Sequence, residues 1–171
     1  MKQPPEQLVL HARHAMGNKV VGKALVARDG LSARYDLDRL QGVFSRPDHK
    51  LAGQSYVDRI LVLDTAKGGV ASAWMLHEMR ARNMAPLAIV FNSVNTILVQ
   101  GAALGDIAML AGFDQDVTSL VPHGARVEID PQAKTLRVLQ AADDGSPADA
   151  SGSAAGNGSA AVPLRPMHKP G

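Results

Sequence analysis

Residues 59–91 constrain the fold more than any other part of the chain. Arg59-Ile-Leu-Val-Leu63 is a short continuous apolar run, the pattern of a strand buried on both faces. The loop Asp64-Thr-Ala-Lys-Gly-Gly69 follows, carrying a hydroxyl, an ammonium and two glycines. Ala71 to Asn83 then reads as a helix with Ser72 near its first turn, because Met75, Leu76 and Met79 fall within an arc of about 100°. His77, Glu78 and Trp74 project away from that arc. Asn83, with Pro86 close behind, supplies the stop. Leu87-Ala-Ile-Val-Phe91 reads as a second buried strand. A helix between two buried strands predicts a parallel pair joined by a right-handed crossover, and hence an α/β or mixed-sheet domain.

The flanks are richer in strand signals. Leu8-Val9-Leu10 suggests a short strand within a lead-in segment, residues 1–18. A strand is expected over Lys19 to Ala27, ended by a turn at Asp29-Gly30. Residues 31–55 read as irregular, with Tyr35, Val43 and Phe44 as packing points and Pro47-Asp48-His49 as a loop in which His49 could meet a partner. Thr96 to Gln100 is β-rich, and Gly101 to Ala111 reads as a helix of small residues. Later strands are expected at Asp116–Leu120, Arg126–Ile129 and Leu136–Leu139, with Asp130-Pro131 as a turn. The folded domain is thus expected over 19–140. From Ala141 the composition shifts to Asp, Gly, Ser, Ala and Asn, too polar to offset an ordering entropy of roughly 1–2 kcal/mol per residue, so 141–171 is expected to be a disordered tail.

Composition excludes several function classes. The 171 residues contain no cysteine, so disulfides, thiolate catalysis and a cluster ligated by this chain's own cysteines are ruled out. No apolar run approaches the ~20 residues of a spanning helix, and the N-terminus lacks a signal-peptide apolar core. A cytoplasmic setting is the expectation. The net charge of +2 is spread without a Lys/Arg block or a basic stripe interleaved with aromatics, which gives nucleic-acid binding no support.

The chemistry-bearing residues concentrate in the glycine loop. A strand, a glycine-rich turn and a helix N-terminus gather backbone N–H groups into an anion site. Lys67 would add charge, and Gly68 and Gly69 would allow close backbone approach. The same residues also suit an ordinary strand-to-helix turn with a solvated lysine, and spacing leaves both readings open. Thr65 and Ser72 offer hydroxyls, though Ser72 equally suits a helix start. Neither has a histidine nearby in sequence, so an activated-serine triad is unsupported. If the two buried strands are parallel neighbours, Asn92 and Asn95 would share a crevice with the loop; both also suit turns. His11 and His14 lack a third ligand, and no internal metal constellation is visible.

Several pieces taken in order resemble a known family. They are Gly22-Lys-Ala-Leu-Val26, Leu31-Ser32, His49-Lys-Leu-Ala-Gly-Gln-Ser55, the Lys67-Gly68 loop and Ala85-Pro-Leu-Ala-Ile-Val90. Together they resemble the small subunit of aconitase X, a swivel-domain family, over about residues 19–140. The resemblance implies a swivelling β/β/α domain, with a mixed sheet or barrel-like core and flanking helices, that closes over a larger cysteine-containing catalytic subunit. It further implies an iron–sulfur cluster held by that partner, acting as Lewis acid, and dehydration of a small hydroxy acid such as cis-3-hydroxy-L-proline or phosphomevalonate. Under it, Thr65, Lys67 and Ser72 are the catalytic candidates, and Gly68, Gly69 and Asn92 bind substrate. Two departures stand out: relatives often carry a serine where this chain has Gly69, and a bulky aromatic where Ala33-Arg34-Tyr35 stands. The alternative is a stand-alone small-anion-binding or regulatory module, or a purely structural subunit.

Overall fold

The computed structural model describes residues 7–142, so the expected tail beyond Ala142 lies outside the described residues. The elements in order are β1 (Val9–Met16), β2 (Val20–Leu31), β3 (Leu37–Asp38), β4 (Val43–Phe44), β5 (Ile60–Ala66), α1 (Val70–Ala81), β6 (Ala88–Ser93), α2 (Thr96–Leu104), β7 (Ala108–Phe113), α3 (Val117–Leu120), β8 (Arg126–Asp130) and β9 (Thr135–Gln140). Seven strands close into a barrel in the order β1-β7-β6-β5-β2-β8-β9, and β1 also pairs with β9. Strands β2, β5, β6 and β7 are mutually parallel; the other pairings in the barrel are antiparallel.

Alternation along the parallel strands builds two cores. Ile60, Val62, Ala88, Val90 and Leu110 join Val127, Ile129 and Leu136 inside the barrel. Leu61, Leu63, Ile89, Phe91 and Met109 face outward, against Leu76 and Met79 of α1, Leu98 of α2, and Phe44, Leu51 and Tyr56 of the segment 31–58. The expected α/β class and barrel-like core with flanking helices are therefore what the chain forms. The parallel pairing of β5 and β6 brings the ends of both strands to one edge, Thr65 opposite Ser93.

Several expectations are corrected. Asp29-Gly30 is not a turn: both lie within β2, where a register shift against β5 absorbs them and the Asp29 carboxylate accepts the Gly30 N–H at 2.8 Å. Within the lead-in segment, Val9–Met16 form an eight-residue strand, β1, rather than a stub at Leu8–Leu10. Tyr35 is 69 % exposed under the Arg34 guanidinium, so it is no packing point, whereas Phe44 is buried. Thr96–Gln100 is helical: Asn95 caps α2 by accepting from Leu98 N at 2.8 Å, and packing on α1 overrides the β-propensity of Thr, Ile and Val. The small-residue helix ends at Leu104, and Ala108–Phe113 joins the barrel because it pairs with both β6 and β1. Asp116–Leu120 is likewise a helix start, with Asp116 accepting from Thr118 N at 3.0 Å.

Candidate functional site

Strand β5 runs through Thr65 and Ala66, so Thr65 sits on a strand end and not in a loop. Its Oγ1 accepts from the Ser93 hydroxyl at 3.1 Å. Lys67 N–H extends the ladder by one bond, donating to Leu31 O at 2.7 Å. The Lys67 side chain then lies along Gly30: a Cβ placed on Gly30 would overlap Lys67 Cε and stand 3.0 Å from Nζ. A buried glycine in a strand here serves close approach, by the stem of the loop's one cation. The ammonium is exposed, and it joins none of the ion pairs among the described residues.

Gly68 turns the chain with φ of +101°, a conformation glycine adopts without penalty. Its carbonyl accepts from Asn95 Nδ2 at 3.2 Å. Because the peptide is trans and planar, the Gly69 N–H points the opposite way, outward from Asn95. Gly69 is the N-cap of α1 and supplies no side-chain cap, and no acidic residue sits in the first turn. The first turn of a 12-residue helix without a side-chain cap thus begins three residues after Lys67, whose ammonium joins no ion pair among the described residues, and both features favour an anion. At Gly69 a Cβ would meet nothing among the described residues within 4 Å, so they impose no crowding there.

Ser72 lies inside α1 and is buried at 1 % exposure, its hydroxyl reaching back beneath Gly68. Asn92 is turned away from the loop. Alternation puts Asp64 and Asn92 on the barrel-mouth face, where Asn92 Nδ2 donates to Asp64 Oδ1 at 3.0 Å and Asp116 Oδ1 at 2.8 Å. Its Oδ1 accepts from Val117 N at 2.9 Å. The structure therefore places Thr65, Lys67, Gly68, Gly69 and Ser72 on one strand end, loop and helix start, and ties Asn92 to Asp64 and Asp116 at the same edge. The hydrogen bonds of Thr118 and Asn92 hold the Asp116 carboxyl far below the usual carboxylate range, and Arg28 pairs with it at 2.9 Å.

A buried network fixes the far wall. His49 is not a partner-facing loop residue: it is 3 % exposed, stacks on Phe44 at 4.5 Å, donates from Nε2 to Gly30 O at 2.9 Å, and accepts Leu51 N–H at Nδ1. Arg46 bridges Asp29 at 3.3 Å and Asp36 at 2.6 Å. Burial alone would raise the Asp29 carboxyl, but the Gly30 N–H, His49, the Lys50 N–H and Arg46 outweigh it and hold it below the usual range. Asp36 Oδ2 in turn accepts Ser32 N–H at 2.7 Å. Ser32 is 5 % exposed and its hydroxyl has no partner among the described residues.

The profile of the aconitase X swivel domain matches residues 9–138. The chain belongs to the aconitase X swivel-domain family. Among its curated relatives, the phosphomevalonate dehydratase small subunit of Thermococcus sibiricus is 32% identical over 75% of this chain and 97% of its own. The protein of the same name from Thermococcus kodakarensis is 29% identical over 77% of this chain and 96% of its own. The crystal structure of Thermococcus kodakaraensis aconitase X in its holo-form superposes with a TM-score of 0.72 at 28% identity, covering 78% of this chain and 99% of that one. A solution NMR structure of a UPF0107 protein superposes at 0.71 with 25% identity, covering 78% of this chain and all of its own.

Gly30, Ser32 and Ser93 are the site residues that reading the sequence did not single out for chemistry. A glycine followed by a serine at the end of a β-rich run was the available signal for the first two, since glycine within a strand marks close approach. Ser93 follows from pairing opposite Thr65, which needs the register. Among the described residues no group of three or more His, Cys, Asp or Glu is arranged to hold a metal, and no helix is long and apolar enough to cross a membrane.

Proposed function

We propose that this chain is the small, swivelling subunit of an aconitase X-type hydro-lyase that dehydrates a small hydroxy acid in the cytoplasm. The observation that carries this reading is the match to this family over residues 9–138, in a chain whose loop before the uncapped start of α1 carries Lys67, unpaired among the described residues. Curated relatives are named small subunits of phosphomevalonate dehydratase, which supports a larger partner subunit and makes phosphomevalonate the substrate to try first, ahead of cis-3-hydroxy-L-proline.

Within that reading, Lys67 and the N–H groups at Gly69 and the first turn of α1 hold an anionic oxygen of the substrate and stabilise charge that develops there. Thr65 is the better placed of the two hydroxyls to move a proton, because it is only half-buried and the Ser93 hydrogen bond stabilises negative charge on its oxygen. Ser72, buried under Gly68, supports the loop. Asn92 braces the strand edge through Asp64 and Asp116. With no cysteine and no metal-holding group among the described residues, this chain's donors do not fit an iron–sulfur cluster, and a cluster would be held by the larger, cysteine-containing subunit.

The test is Lys67→Met in the complex with its larger partner. Turnover of phosphomevalonate is expected to fall about 100-fold or more while the melting temperature of the subunit stays close to wild type. Unchanged kcat/KM would remove Lys67 from the reaction. Failure to recover any larger partner from the native cell would remove the subunit reading itself.

A further inference from the structure

A hollow of about 300 Å³ opens on the outer face of the barrel, between β1, β7 and the segment that leads into α2. Its floor is apolar. Met16, Val94, Val99 and Met109 line it, and all four belong to or pack against the outward-facing core. Met16, Val94 and Val99 are only half-buried, so their apolar surface is incompletely covered. The rim is basic, with Arg13 and Lys134. Arg13 is already held by Asp114 at 2.6 Å. Lys134 joins none of the ion pairs among the described residues. Its Nζ reaches across β1 to donate to the Arg13 carbonyl at 3.3 Å, which leaves further donors of the ammonium open. The backbone of Lys134 is a second, independent observation. Four residues other than glycine have positive φ among the described residues: Asp58, Asn83, Asp106 and Lys134. Asp and Asn visit that region routinely, and lysine does not. At φ of +55° in the turn between β8 and β9, glycine or asparagine would be accommodated at lower cost. The chain keeps a lysine there, with its ammonium over the hollow.

We propose that this hollow binds a small amphiphilic oxyanion, its aliphatic chain on the floor of Met16, Val99 and Met109 and its head on the Lys134 ammonium. Buried methylenes supply affinity, and a charge-assisted hydrogen bond fixes the head. The volume is at the lower end for small-molecule sites, which suits a short chain ending in a carboxylate or a phosphate. The chain's own last apolar stretch, Val162-Pro-Leu-Arg-Pro-Met167, is the poorer match, because Arg165 and the following Lys169 carry the same sign as the rim. Val94 places the hollow next to residues of the candidate loop: its neighbours Ser93 and Asn95 bond Thr65 and the Gly68 carbonyl. The inference does not rest on the hydro-lyase reading or on an anion at α1.

The experiment is a titration of the full-length chain with octanoate at fixed ionic strength, followed by the methyl signals of Met16 and Met109. Saturable shifts of both are expected. Each methylene removed from the acid should weaken binding about two- to fourfold, and acetate should leave the two methyls unmoved. Octyl phosphate, titrated in parallel, shows which head group the site prefers, and tighter binding of either head upholds the site. Lys134→Asn removes the charge yet suits the backbone, so it separates function from folding. It is expected to weaken octanoate about three- to tenfold, to leave octanol binding unchanged, and to melt at or above the wild-type temperature. Lack of saturable shifts at Met16 and Met109 would overturn the proposal. So would octanol binding as tightly as octanoate, which would reduce the hollow to an apolar surface feature. A Lys134→Asn chain that binds octanoate as wild type does would also overturn it. If that variant melts well below wild type, the lysine is there for the fold, and the role given to its ammonium falls.

Discussion

At the scale of single residues, Gly30 and Lys67 form one device split between β2 and the loop that follows β5. The glycine leaves a channel in which the lysine stem lies, and His49 holds that channel in place through the Gly30 carbonyl. Gly30→Ala therefore meets the flexible end of a side chain and not backbone. The expected outcome is a folded protein with stability within about 1 kcal/mol of wild type. Turnover or phosphate affinity should nevertheless drop about tenfold or more, since the ammonium is pushed from its seat. A Gly30→Ala protein with full activity would show that the resting place of Lys67 does not matter. Asp116 gives a second test, in pH. Its folded carboxyl titrates below its ordinary value of about 3.9, so its contribution to stability is complete above that value and disappears as pH falls toward the folded one. Asp116→Asn is expected to melt lower than wild type at pH 7 and to lose less on going from pH 5 to pH 3. Parallel melting curves across that window would mean that the Asn92–Asp116–Thr118 network carries no acid-dependent stability.

At the scale of elements, the α1–α2 contact decides how the loop is presented. A Cβ on Gly101 would overlap the Ala73 Cα and stand 2.9 Å from the Ala73 carbonyl oxygen, so the two helices touch backbone to backbone. Gly101→Ala is expected to cost about 1–3 kcal/mol, read from denaturant unfolding, because rigid backbone cannot yield as a lysine can. A cost near zero would show that the helices slide apart freely. The same contact explains what was legible in the sequence and what was not. β5, α1 and β6 could be read because a buried parallel strand and an amphipathic helix write their surroundings locally. Thr96–Leu104 could not, since its helical state comes from the Asn95 cap and from a glycine that matters only once Ala73 faces it. Asp29-Gly30 carries turn chemistry in sequence, yet pairing with β5 and the seat for Lys67 keep it extended. The residues of the proposed anion loop, Lys67, Gly68 and Gly69, could be picked out in the sequence, whereas Ser93 meets Thr65 only through the strand register.

At the scale of the molecule, barrel closure depends on the first strand. β1 lies between β7 and β9, taking Ala12 opposite Phe113 on one side and Leu10 opposite Leu136 on the other. The sequence-based boundary at Lys19 would discard it. Without β1 the two neighbours become open edges and the interior cluster of Val90, Leu110, Val127 and Leu136 loses one wall. The effect should reach the candidate site, because β7 pairs with β6, and β6 carries Ser93 and leads into Asn95. A chain that starts at Lys19 is therefore expected to lack a cooperative melting transition and dispersed amide signals, whereas the full chain has both. Adding residues 7–18 as a separate peptide should restore part of that dispersion, with the amides of β7 and β9 shifting first. A truncated chain that melts cooperatively at the wild-type temperature would show that the six remaining strands close on themselves, and that β1 is an accessory to the fold.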